Sequence, residues 1–314
     1  MQELDLLILG AGWTSTFLIP LLQAKHLSFA ATTRDGHDVA NTKTLAWTFD
    51  PSEELPTSQK NQFSPLPLAK HILVTFPLKD KGQSETLVRG YERAHGQKAQ
   101  DVRFIQLGST GIWQIPQKTL WVSRRSPYDT TNSRAIAEDE LLGLGGCVLN
   151  LAGLWGGARD PKTWVGRVAK TKEDVKGKKS LHMVHGLDVA RAIVAVMGQW
   201  EQAAAGQRWM LTDTFVYDWW SLMAGWADVA SKDEDAADRA PMEQAQWVFE
   251  LMKEEKVWAL PRILGYAWLG AVEGEDLSSA KLTVLLRRLR TAEVDEWLKV
   301  AFCLIATRTR LHPG

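Results

Sequence analysis

The chain has 314 residues, 45% of them hydrophobic and 24% charged, with equal numbers of basic and acidic side chains. That is an ordinary globular composition with room for one large or two smaller domains. A formal charge of zero argues against a dedicated nucleic-acid binder, and Glu3 and Asp5 ahead of the first apolar run argue against a secretory signal.

From Leu6 to Ala24 no residue is charged, a length that reaches across a bilayer. Gly10, Gly12 and Pro20 interrupt the run, and Thr14, Ser15 and Thr16 sit at its centre. A membrane span is therefore not expected. Residues 4–9 predict a buried strand that ends at Gly10. From Thr14 onward Phe17, Leu18, Leu21 and Leu22 recur at helical spacing, although Pro20 counts against a regular helix. Residues 27–34 predict a second strand. The segment 50–70, rich in Pro, Ser and charge, reads as a surface connection.

Strands are expected at 71–77 and 102–110, with a helix over 84–96 stopped by Gly96. A helix over 133–146 and a strand over 146–156 follow. The basic stretch 159–179 reads as a solvated loop or exposed helix. Residues 185–197 predict another helix and 208–213 a last strand. In the C-terminal third, Leu282, Leu285, Leu286 and Leu289 mark one helical face. Alternating strands and helices imply an α/β, Rossmann-type, doubly wound parallel sheet with a smaller, mostly helical C-terminal substrate region. The expected division is a dinucleotide-binding domain over 1–160, joined again by 180–212. The substrate region takes 161–179 and 213–314.

Two other features bear on class. Cys147 and Cys303 lie in apolar surroundings and are expected to be reduced core thiols of a cytoplasmic protein. Fifteen tryptophans against four tyrosines is unusual. Most are expected in the core, with a minority lining a pocket for a flat or apolar substrate.

Gly10-Ala11-Gly12-Trp13-Thr14-Ser15 falls at the turn from first strand to first helix. In such a turn the first glycine permits the bend and the second lets a diphosphate approach the backbone. The helix N-terminus then offers free N–H groups to the phosphates. Ser15, at the third position, is small and can donate a hydrogen bond. The second strand ends in Thr32-Thr33-Arg34, where an arginine suits the 2′-phosphate of NADP. Asp35, next in line, would suit NAD instead. The expected cofactor-binding residues are Gly10, Gly12, Trp13, Thr14, Ser15, Thr33, Arg34 and, at the end of the 71–77 strand, Phe76 and Pro77. NADP is the expected cofactor, NAD the alternative.

With "GAGWTS", "TTR", "LGSTGIW", "SRAIAEDELL", "LNLAGLWGGAR" and "LHMVHGLDVARAI" in this order, the chain resembles an extended or atypical short-chain dehydrogenase/reductase over about residues 4–200. The resemblance implies hydride transfer to or from a nicotinamide, with Ser, Tyr and Lys as the family's working residues. Ser orients the substrate oxygen, Tyr exchanges the proton, and Lys lowers the Tyr pKa and binds ribose. "LGSTGIW" puts Ser109 at the serine position. Aligned through Glu138, the lysine position holds Arg134 and the tyrosine position Thr130, so the dyad is missing. A threonine hydroxyl is a poor acid, and arginine stays charged without donating a proton easily. Tyr128 lies two residues upstream and could serve only if the chain is irregular there, which Pro127 allows. Ser109, Tyr128 and Arg134 are the candidate catalytic residues.

His182 and His185 lack a third ligand, so no metal is expected. His185 and Asp188 match family positions that are chiefly structural, and a Ser109–His185–Asp188 triad lacks its nucleophile elbow. The functional expectation is an NADP-dependent reductase of an apolar or aromatic carbonyl or imine, held between Ser109, the Trp155 turn and the tryptophan-rich end. Its partners would be a small-molecule substrate, with no nucleic acid and no membrane, in a monomer or homodimer. The alternatives are a dinucleotide-binding sensor or scaffold without turnover, and a non-redox isomerase or cyclase.

Overall fold

The computed structural model describes residues 3–52, 61–99, 101–114, 122–226, 243–260 and 262. The helix expected over 282–290 and Cys303 lie outside the described residues.

The apolar opening run divides as its glycines require. Strand β1 (Leu4–Leu9) ends at Gly10, and helix α1 (Ser15–Ala24) follows after the turn. Pro20 lies inside α1 on its exposed face, where the carbonyl it fails to pair costs least, and the helix continues to Ala24. Among the described residues no helix is long and apolar enough to cross a membrane.

The chain then alternates. Strands β2 (Phe29–Thr33), β3 (Leu45–Ala46) and β4 (Ala69–Val74) lead to helix α2 (Gln83–His95) and strand β5 (Arg103–Ser109). A 3₁₀ turn over Thr110–Trp113 follows, then helix α3 (Ser133–Gly143) and strand β6 (Cys147–Leu151). The 146–156 run is two strands rather than one, β6 and the short β7 (Gly153–Trp155). Helices α4 (Val165–Val168) and α5 (Lys172–Gly177), strands β8 (Ser180–Leu181) and β9 (Met183–His185), and helix α6 (Gly186–Gly198) come next. Strands β10 (Arg208–Leu211) and β11 (Tyr217–Asp218) and helices α7 (Trp219–Trp226) and α8 (Glu243–Glu254) complete the order.

The central sheet has seven strands in the order β10-β6-β5-β4-β1-β2-β3. Every pairing in it is parallel. Parallel strands are buried on both faces, which is why β1 and β4 read as near-continuous apolar runs. This is the α/β Rossmann-type sheet the alternation implies. From β1 the chain moves one way to β2 and β3, then crosses to β4 on the other side of β1. Such a reversal opens a crevice at the strand C-termini, between the loops after β1 and β4.

The described residues form two compact units. One contains residues up to Ala152 together with His185–Leu211; the other contains Gly153–Val184 and the segments from Thr212 to Arg262. In the first, one sheet face packs against α2 and α3 through Leu7, Leu9, Ile72, Val74, Phe104, Ala137, Leu141 and Val148. In the second, Val165, Val175, Trp219, Trp220, Val248 and Leu251 share a smaller core. Residues 159–179 are thus not only a solvated face, because Val165 and Val175 anchor them.

The 50–70 segment also departs from a plain surface connection. Phe63 and Leu66 are buried with Trp47 and Tyr91. A Cβ on Gly90 of α2 would stand 2.3 Å from the Phe63 ring, so the missing side chain is what admits that ring. Cys147 is a buried free thiol, pushed up to about 12 by burial.

Helix α2 has no side-chain cap of its own at Gly82. Glu140 of α3 supplies one. Its carboxylate accepts from the N–H groups of Gly82 (2.7 Å), Ser84 (3.0 Å) and Glu85 (3.1 Å). A negative charge at a helix N-terminus is favourable, and three donors lose their acceptor without it. Glu140→Ala is expected to cost about 1–2 kcal/mol. Urea denaturation would show this as a lower midpoint at unchanged m-value.

Candidate functional site: the β1–α1 turn and the ends of β2, β4 and β5

Gly10 has φ +86°, and a Cβ there would meet Phe76 Cδ1 at 2.9 Å and Thr75 Oγ1 at 3.0 Å. Both the backbone conformation and the close neighbour demand glycine. The turn is bolted to the adjoining strands. Gly10 N–H donates to Thr32 Oγ1 (3.0 Å) and Ala11 N–H to the Thr32 carbonyl (2.6 Å). From the β4 side, Thr75 Oγ1 donates to the Gly10 carbonyl. Thr75 and Phe76, next after β4, therefore lie against the turn, at the crevice where the strand order reverses, and Pro77 follows them in the chain.

Gly12 differs from Gly10. Its φ is not in the left-handed region, and a Cβ there would meet only the Gly10 carbonyl, at 3.9 Å. Protein leaves the space over Gly12 open. Ser15 N–H is satisfied by the Gly12 carbonyl (2.9 Å), whereas the Gly12 and Thr14 N–H groups have no acceptor among the described residues. Ser15 Oγ is buried without a hydrogen-bond partner among the described residues. Trp13 packs edge-on against Phe17 at 5.1 Å, and Phe17 fills the place a side chain on Gly186 would need, at 2.3 Å. That contact presses α1 onto α6 and fixes the direction of the α1 N-terminus.

At the end of β2, Thr33 Oγ1 accepts from Gly36 N–H (2.9 Å) and shares a hydrogen bond with Thr44 Oγ1 (2.7 Å). Arg34 is exposed, and its guanidinium makes no hydrogen bond or ion pair among the described residues. Asp35 is paired with His37, which holds its carboxyl below the usual range.

At the end of β5, Ser109 caps the Thr110–Trp113 turn, its Oγ accepting from Gly111 N–H at 3.1 Å. Capping uses a lone pair and leaves the hydroxyl proton available. Helix α3 begins only at Ser133, capped by Asn132, so Thr130 and Tyr128 both precede it in irregular chain. Tyr128 is held by packing against Trp113, 5.9 Å between ring centroids, and its hydroxyl donates to Asp139 Oδ1 at 2.7 Å. Burial, seconded by that bond to Asp139, pushes the Tyr128 phenol up. Arg134 stands in the first turn of α3. Its guanidinium makes no hydrogen bond or ion pair among the described residues, and Nε is buried.

Sequence reasoning missed a buried polar group beneath these residues. Glu138 and Asn150 are fully buried, and Arg208 nearly so. Asn150 Nδ2 donates to Glu138 Oε2 (2.8 Å) and to the Ser109 carbonyl (3.1 Å). Arg208 Nη2 donates to Glu138 Oε2 (3.2 Å) and Asp139 Oδ1 (3.0 Å). Burial raises the Glu138 carboxyl, with Asn150 and Arg208 opposing. A Cβ on Gly108 would stand 2.5 Å from both Asn150 Nδ2 and Glu138 Oε1, which explains that glycine. The signal available in sequence was a glutamate on the inward face of α3 and an arginine opening β10.

His185 caps α6 by accepting from Leu187 N–H at 3.2 Å, and Asp188 pairs with Arg191 at 2.9 Å. Ser109 Oγ for its part accepts from Gly111 N–H. In the second unit, His182 Nδ1 bonds the Phe215 carbonyl.

No family model matches this sequence, and no curated protein resembles it in sequence. Solved structures do resemble it. A functionally unknown conserved protein from Silicibacter pomeroyi DSS is 20% identical, with a TM-score of 0.52 over 82% of this chain and 94% of that one. Vestitone reductase from alfalfa (Medicago sativa) is 18% identical, with a TM-score of 0.50 over 81% of this chain and 99% of that one. UDP-N-acetylglucosamine 4-epimerase from Bacillus cereus is 9% identical, at 0.50 over 82% and 98%. Identities this low carry the fold and nothing finer. Taken with the seven-stranded parallel sheet, they show that the chain has a Rossmann-type α/β fold.

Proposed function

We propose that the chain is an NADP-dependent reductase acting on an apolar or aromatic carbonyl or imine. The observation that carries this reading is the turn over Gly10–Ser15. It sits at the strand-order reversal, leaves open space above Gly12, and presents N–H groups of Gly12 and Thr14 without acceptors among the described residues. Those features fit a diphosphate, and the unpartnered Ser15 Oγ adds a hydroxyl at the same helix start. Phe76 and Pro77 form the opposite lip.

Arg34 supports NADP over NAD. It is exposed and uncommitted, while the Asp35 carboxylate is taken by His37. A guanidinium forks onto phosphate oxygens, and such charge-assisted bonds contribute about 1.5–3 kcal/mol. Arg34→Ala is therefore expected to weaken NADPH binding on the order of tenfold to a hundredfold and leave NADH nearly unchanged. Equal losses for the two in parallel titrations would reject the assignment.

When bound, a nicotinamide supplies the hydride. Ser109 donates its hydroxyl proton in a hydrogen bond to the substrate oxygen, its lone pair being engaged by Gly111. Arg134, which makes no hydrogen bond or ion pair among the described residues although its charge bears on Glu138, would bind the ribose edge or stabilise charge that develops beside it. The proton that the reduced carbonyl or imine takes up would come from Tyr128, from water or from the substrate's own acid. The test is incubation of the intact chain with NADPH and a panel of aryl and alkyl carbonyls and cyclic imines. Steady cofactor oxidation above the protein-free rate supports turnover.

One observation favours a second reading, a dinucleotide-binding sensor without turnover. The Tyr128 hydroxyl donates to Asp139, so its proton is already engaged. Tight NADPH binding with no oxidation across the panel would select it.

A further inference from the structure

We propose that Arg208 is the positioning cation of Tyr128, delivered from β10 to the phenol in place of a cation from α3. Its catalytic meaning rests on the reductase reading above; the geometry does not. The Arg208 guanidinium carbon lies 4.5 Å from the centroid of the Tyr128 ring. Its Nη2 donates to Asp139 Oδ1, the same oxygen that accepts from the Tyr128 hydroxyl. One side chain thus covers the face of the ring and holds the acceptor of its proton. Arg134 is the cation that the Tyr/Lys pattern would put beside the phenol, yet it makes no such contact among the described residues.

The connection continues inward. Arg208 also holds Glu138, Glu138 accepts from Asn150, and Asn150 donates to the carbonyl of Ser109. The backbone of Ser109 and the side chain of Tyr128 are therefore tied to a common anchor. That anchor is nearly dry, the Arg208 side chain being 7% exposed and that of Glu138 0%. The Tyr128 phenol itself is half-buried and Asp139 is 40% exposed, so solvent screens part of the charge that reaches the ring. The charged groups that bear on Tyr128 are Asp139, with Glu138 behind Arg208, from α3, and Arg208 itself from β10. Arg124 lies beyond, its Nη1 donating to the Arg208 carbonyl at 3.1 Å. A neighbouring cation favours the phenolate, and a carboxylate that accepts the proton favours the phenol. Burial and Asp139 raise Tyr128, and Arg208 opposes them.

The sign of a charge removal separates this role from a merely structural one. In the full-length chain labelled at tyrosine Cζ, the Tyr128 resonance is assigned with Tyr128→Phe and its ionisation followed by carbon NMR against pH. Arg208→Met takes away the opposing cation, so the Tyr128 midpoint moves upward. Arg208→Lys, which keeps a charge, brings it back toward the parent value. If Arg208 merely propped the segment, its loss would loosen the phenol into water and move the midpoint down, toward an ordinary tyrosine. A downward shift or none in Arg208→Met overturns the proposal. Should that variant not fold, Glu138→Gln/Arg208→Met removes both buried charges together and must show the same upward shift. NADPH titration of the same samples keeps the two claims apart. Absence of binding in the parent protein sinks the reductase reading, whereas the direction of the Tyr128 shift decides the role of Arg208.

Discussion

Gly12→Val is expected to leave stability unchanged and to lower NADPH affinity at least a hundredfold, while Gly10→Ala is expected to destabilise the fold itself. The two glycines are two residues apart and have opposite surroundings. At Gly12 the backbone is unstrained and an added Cβ meets only the Gly10 carbonyl, at 3.9 Å, so the folded chain alone is expected to tolerate the side chain. A ligand that must touch this backbone would. A hundredfold loss corresponds to about 2.7 kcal/mol. At Gly10 an alanine must adopt φ +86° and push its Cβ to 2.9 Å from the Phe76 ring. The conformation alone costs about 1–3 kcal/mol, and the clash adds to it. Urea denaturation and NADPH titration of both variants check the pair. A Gly12→Val protein that binds NADPH as the parent does would remove the diphosphate from this turn.

Arg208→Met alone is expected to cost about 3–5 kcal/mol, because it leaves the Glu138 carboxylate buried without its cation. Glu138→Gln/Arg208→Met is expected to recover much of that loss, since neutral groups of similar volume need no counter-charge. Chemical denaturation of the two single variants and the double variant closes the cycle; additive losses would show that Arg208 and Glu138 do not act as a pair. A pH dependence accompanies this. Burial raises Glu138 in the folded protein, so between its unfolded and folded pKa the native state holds the extra proton. Stability therefore falls as pH rises through that window. Glu138→Gln, which has no proton to lose, is expected to flatten the slope.

Much of this architecture was legible because it follows from local rules. The uncharged run from Leu6 to Ala24 could not be one helix through Gly10 and Gly12, and it divides into β1, a turn and α1. Successive apolar strands separated by helical patterns could only make a parallel sheet. The Asp50–Lys70 stretch was misread because composition reports exposure on average, whereas Phe63 is drawn inward by the bare face of Gly90, a long-range match. The buried group at Glu138, Asn150 and Arg208 was illegible for the same reason. Its three members come from α3, β6 and β10, and no spacing in the chain announces that they meet. Tyr128 could be placed only conditionally, and the late start of α3 at Ser133 meets the condition of an irregular chain at that point. Its hydrogen bond to Asp139 was a further step that periodicity could not supply.

Calorimetric titration of the intact chain with NADPH, and with NADH for comparison, tests the dinucleotide site most directly. The account predicts saturable binding at one site per chain, tighter for NADPH than for NADH. No heat and no saturation with either nucleotide would contradict it and leave the fold without this function.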